Sequence, residues 1–139
     1  MTHHFKVNCL RDNLKLIREF VQTVLTEYPL SEIETNQLIL AVDEVCSNLI
    51  IHAHDCNPDI NIEINILGSE ELILFEIIHK NTDNFDFSQY KNPSLKKIVQ
   101  ERRKGGIGLI LVNKIMDNVE VKNENTFNIW RMSKYINAG

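Results

Sequence analysis

The stretch Ala41–His54, AVDEVCSNLIIHAH, decides how the rest of the chain is read. It continues a helical series opened by Ser31, which with Glu34 three residues later forms a capping box; Leu38, Ala41, Val45 and Leu49 then recur at helical spacing toward Ala53. At 100° per residue, Glu44, Asn48 and His52 are successive i, i+4 neighbours at about −60°, −20° and +20° relative to Ala41. Val45 and Leu49 fall at about +40° and +80°, so Asn48 and His52 lie within the core-facing stripe, Glu44 at its edge and Asp43 toward solvent. A carboxylate, a carboxamide and an imidazole in an apolar seam need partners, because an unpaired buried polar group costs about 1–3 kcal/mol. Internal hydrogen bonds at a helix junction meet that need, and so does a cleft that takes a metal and a ligand.

Outward from this helix, the apolar period predicts a strand over His3–Cys9 and a helix capped by Asp12, with Leu14, Ile17, Val21, Val24 and Leu25 as its stripe, ending before Tyr28-Pro29. Alternation at Ile60, Ile62, Ile64 and Ile66 predicts a strand over Ile60–Leu67, joined through Gly68-Ser69-Glu70 to a second over Leu72–His79. Residues 81–93 read as a loop and Ser94–Gln100 as a short helix. Leu109–Met116 reads as helical, and Val119–Val121 with Thr126–Met132 as a final hairpin turning at Lys122–Asn125. Helices followed by mostly antiparallel strands predict a two-layer α/β sandwich with the helices on one face. A length of 139 residues, 43% hydrophobic and 24% charged, suits a single domain over 1–139 and excludes disorder.

The net charge of −4 is unevenly spread. Lys91, Lys96, Lys97, Arg102, Arg103 and Lys104 oppose only Glu101, so this segment carries about +5 and the remainder about −9. The acidic remainder argues against nucleic-acid binding. The basic run leads into Gly105-Gly106-Ile107-Gly108-Leu109, which holds three of the five glycines just before a helix. Glycines there let a ligand approach the backbone, and a helix start directs free N–H groups at it, which suits phosphate; a flexible loop with a helix cap accounts for them equally. The pattern lacks the Lys-Ser/Thr of a Walker loop and the spacing of a Rossmann turn.

Together, the Glu-x-x-x-Asn-x-x-x-His helix and GGIGLILVNKIMD at 105–117 resemble the GHKL (Bergerat-fold, histidine-kinase-like) ATPase superfamily, and within it the anti-sigma factor serine/threonine kinases. The resemblance spans nearly the whole chain and implies a mixed, mostly antiparallel sheet. It implies an ATP-dependent protein kinase that phosphorylates a serine on a small antagonist protein and sequesters a sigma factor, as a homodimer. By the same resemblance Glu44 is the general base that takes the serine proton, and Asn48 coordinates the Mg²⁺ bridging the nucleotide phosphates. His52, Lys80, Thr82, Lys104 and Leu109 then line the ATP site, Gly105, Gly106 and Gly108 donate N–H groups to phosphate, and Phe87–Lys104 is the lid. Such groups suffice for phosphoryl transfer, which is largely positioning and electrostatic stabilisation.

One departure gives a second reading. Where the family carries an Asp-x-Gly box that accepts the adenine amino group, this sequence has Lys80 and Thr82, with Asp83 available if the loop shifts by three residues. Lysine only donates, so the alternative is a weakly active or inactive partner-binding module that has lost adenine recognition. Zinc at Cys46, His52, His54 and Cys56 fits no common spacing. Trp130 reads as surface or core packing. Three cysteines without CxxC argue against a disulfide framework, and with neither a membrane span nor a signal peptide the expectation is a cytoplasmic protein.

Overall fold

A computed structural model describes residues 2–52, 61–80, 105–124 and 127–136. In chain order these form β1 (Thr2–Asn8), a 3-10 turn (Arg11–Asn13), α1 (Leu14–Leu25), α2 (Glu32–His52), β2 (Asn61–Gly68), β3 (Leu72–Lys80), α3 (Gly105–Ile115), β4 (Asn118–Glu124) and β5 (Phe127–Tyr135). The five strands make one sheet in the order β1-β2-β3-β5-β4, with every described pairing antiparallel, in line with the mostly antiparallel sheet expected.

The predicted capping box closes as a reciprocal pair. Glu34 N–H donates to Ser31 Oγ at 3.0 Å, and Ser31 N–H donates to Glu34 Oε1 at 3.1 Å, satisfying two groups the helix start leaves over. The stripe predicted for α1 is buried at all five positions. α2 buries a wider arc, Leu38, Ala41, Val42, Val45, Cys46, Leu49 and Ile50, because it packs against α1, α3 and β3 at once. Ser69 closes the β2–β3 hairpin, its N–H donating to the Leu72 carbonyl at 2.8 Å while its Oγ accepts from the Glu71 and Leu72 N–H groups.

Alternation divides the sheet into two faces. Ile62, Ile64 and Ile66 of β2, Ile73, Phe75 and Ile77 of β3, Val121 of β4, and Trp130 and Met132 of β5 join the helix stripes in one core, where each large side chain contributes about 1.5–3 kcal/mol. At the β1 edge Phe5 stacks on Phe20 of α1, ring centroids 4.7 Å apart. On the opposite face a polar ladder crosses the strands. His4 Nδ1 donates to Asn65 Oδ1 at 2.6 Å, Asn65 Nδ2 to Glu76 Oε1 at 3.1 Å, and Arg131 Nε to Glu76 Oε2 at 2.9 Å.

Two expectations are corrected. The helix predicted to begin at Leu109 begins at Gly105, so the glycine cluster is its first turn and not a preceding loop. Cys9 is disulfide-bonded while Cys46 is free and buried; spacing along a sequence says nothing of a bond closed across a fold.

Candidate functional site

Asn48 is only 3% exposed in the C-terminal part of α2, flanked on its face by Val45 and Leu49, as the helical phase predicted. One turn earlier Glu44 is half-buried at the margin of that face. Its carboxyl is pushed above the ordinary carboxylate range, first by burial and then by the neighbouring charge of Asp43. A carboxylate shifted this way is better matched to taking a proton near neutrality than a fully solvated one.

Asp43 does not stand free in solvent. It is half-buried, and its Oδ1 accepts from Arg18 Nη1 of α1 at 2.9 Å. The helical phase was right, but the neighbouring helix covers part of the face that sequence left to water. His52 lies in the last turn of α2; its side chain is outside the described residues.

α3 packs against α2. Gly105, Gly106 and Gly108 are three of its first four residues, whose N–H groups have no acceptor within the helix. An N-terminus so built offers backbone donors and partial positive charge to an anion. Leu109 follows in the same helix, and Lys80 ends β3, opposite Phe127 of β5. The fold thus gives the polar helix residues and the glycine turn to two helices in contact. Thr82, Asp83, Lys104, the lid over 87–104 and the helix expected over 94–100 lie outside the described residues.

Two buried polar side chains are not marked by the sequence patterns above: His79 and Asn128, both on the core face. The signal was present. Glu76 and Arg131 set the solvent phase of β3 and β5, which puts odd positions of β3 and even positions of β5 inward.

These features sit on an α/β sandwich, and residues 8–134 match the family model described as histidine kinase-like ATPase domain. The chain belongs to that family. Among curated proteins it is similar to the serine-protein kinase RsbW of Bacillus subtilis (strain 168), 28% identical over 139 residues, covering 96% of this chain and 84% of the relative. RsbW of Halalkalibacterium halodurans is 29% identical over 102 residues, covering 70% of this chain and 60% of the relative. Among solved structures, one of the RsbU and RsbW domains of a Mycobacterium tuberculosis protein superposes with a TM-score of 0.66 at 10% identity, covering 96% of this chain and 32% of that one. The SiaB–SiaC complex of Pseudomonas aeruginosa gives a TM-score of 0.60 at 13% identity, covering 96% and 89%. These comparisons bear out the resemblance drawn from the two sequence boxes.

Proposed function

We propose that this chain binds Mg-ATP, transfers the γ-phosphoryl group to a serine of a small antagonist protein, and sequesters a sigma factor. The observation that carries the reading is the α2 arrangement: a buried Asn48 one turn from a half-buried Glu44 whose carboxyl holds its proton more tightly than usual. The donor set suits a magnesium nucleotide. No described group of three or more His, Cys, Asp or Glu forms a metal cage, and Mg²⁺ is commonly held by few protein oxygens together with substrate phosphates.

On this reading Asn48 offers its amide oxygen to the metal, and the first turn of α3 holds the phosphates with backbone N–H groups. Bound Mg²⁺ supplies neutralisation of charge across the phosphates. Glu44 accepts the serine proton as the serine oxygen bonds to phosphorus and ADP leaves with the other bonding pair. By the same resemblance the protein works as a cytoplasmic homodimer; no described helix is long and apolar enough to cross a membrane.

A second reading rests on Lys80, which offers only donors where an adenine acceptor is expected: a partner-binding module without nucleotide. Calorimetry with Mg-ATP separates the two. The kinase reading expects binding by the wild type, loss with Asn48→Ala, near-retention with Asp43→Ala, and transfer of labelled phosphate to a serine. Absence of nucleotide binding by folded wild-type protein overturns it in favour of the module.

A further inference from the structure

The described core holds three polar side chains, Asn48, His79 and Asn128, the last two only 5% and 1% exposed. Asn48 belongs to the site above. His79 and Asn128 face each other across the β3–β5 pairing, on the helix-covered side, next to Lys80 at the strand end.

Their hydrogen-bonding states follow from their surroundings. His79 Nε2 lies 4.0 Å from Cys9 Sγ. Cys9 is disulfide-bonded, so its sulfur has no hydrogen to give, and the contact is a donation from Nε2–H. Burial pushes the His79 pKa down and keeps the ring neutral, and a neutral imidazole has one N–H. Nδ1 is therefore a bare acceptor, and no group among the described residues donates to it. Asn128 Oδ1, in the orientation the structure gives, is a second buried acceptor that receives no donor among the described residues.

Two acceptors on directly opposed strand positions, their Cβ atoms about 5 Å apart, match a group with two N–H bonds on one nitrogen. An ammonium is disfavoured in so dry a place beside a ring held neutral; an uncharged amino group on an aromatic ring is not. ATP carries such a group on its base. Lys80 cannot receive it, having donors only.

We propose that His79 Nδ1 and Asn128 Oδ1 together receive the adenine amino group and make this site selective for an aminopurine. The inference rests on the Mg-ATP reading above, and its test separates the two. The probes are Mg-ATP and Mg-ITP, in which a carbonyl replaces the amino group and N1 gains a hydrogen, so that the acceptor variants are what assign a difference to the amino group. Calorimetry on the wild type is expected to show ATP bound at least about tenfold tighter than ITP, the range one hydrogen bond commonly supplies. His79→Phe and Asn128→Leu, which keep the volume and remove the acceptor, are expected to lower ATP affinity about tenfold each and leave ITP affinity unchanged. The ¹⁵N resonance of His79 Nδ1 is expected to move upfield with ATP and stay in place with ITP.

Equal affinity for ATP and ITP overturns this inference and leaves the kinase reading standing. Equal loss of both nucleotides in the variants overturns it too, since a purely structural role predicts that. Binding of neither nucleotide by the wild type overturns both readings together.

Discussion

Arg18 and Asp43 meet at 2.9 Å, tying α1 to α2 one residue before the carboxylate assigned as base. Asp43 is also one of the two causes that raise the Glu44 pKa, the larger being burial. Asp43→Asn should therefore lower the Glu44 pKa without returning it fully to the ordinary value. Carboxyl ¹³C titration of Glu44 reads this directly, and an unchanged midpoint would show that Asp43 exerts no charge effect there. The ion pair itself is partly exposed, so its loss should cost under about 1 kcal/mol of stability.

Buried and neutral, His79 has a folded-state pKa below its ordinary 6.5. Above 6.5 both folded and unfolded states carry it neutral, and it adds no pH dependence. As pH falls through 6.5 the unfolded chain takes up a proton that the folded chain refuses, so stability declines toward the folded pKa. Urea midpoints measured between pH 8 and pH 5 should fall more steeply for the wild type than for His79→Phe. Parallel slopes would rule out His79 as a source of the decline.

Gly68, the last residue of β2, leaves no room for a side chain. A Cβ there would run into the hydroxyl and ring of Tyr28, which packs against the core. Gly68→Ala should destabilise the protein by about 1–3 kcal/mol as the ring is displaced. In the Tyr28→Ala background the same substitution should cost much less, and a cycle of the two changes gives their coupling. Additive losses would mean that the ring is not the obstacle.

Ser31→Ala removes the oxygen that accepts from the Glu34 N–H at 3.0 Å. The expected loss is about 1 kcal/mol, read as a lower melting temperature, with the Glu34 amide exchanging faster than in the wild type. No change in either would show the box to be redundant with packing of α2.

Local chemistry made much of this legible in advance. Ser31 and Glu34 fixed the start of α2 because a capping box has a side-chain pattern of its own, and the α1 stripe followed from period alone. Asp43 was read as solvent-facing because one helix cannot say which neighbour covers its polar side, and Arg18 lies 25 residues away. Gly105, Gly106 and Gly108 fall just before the helix expected from sequence and yet form its first turn, since glycine's low helix propensity hides a helix start from pattern reading. His79 and Asn128 escaped notice for another reason. Before its last two residues β3 is apolar on both faces apart from Glu76, so its phase hangs largely on one residue, and the pairing that joins His79 to Asn128 spans 49 positions.

In the strand order β1-β2-β3-β5-β4, the halves of the chain before residue 81 and after residue 104 join, among the described strands, along the single line of β3 against β5. That line is a seam, and His79 opposite Asn128 sits near its open end, one pair in from Lys80 and Phe127. A molecule gripping both side chains would act as a clasp on the seam. Amide exchange near residues 79 and 128 would then slow together when it binds, and slow less on β1 and β4 at the two outer margins of the sheet.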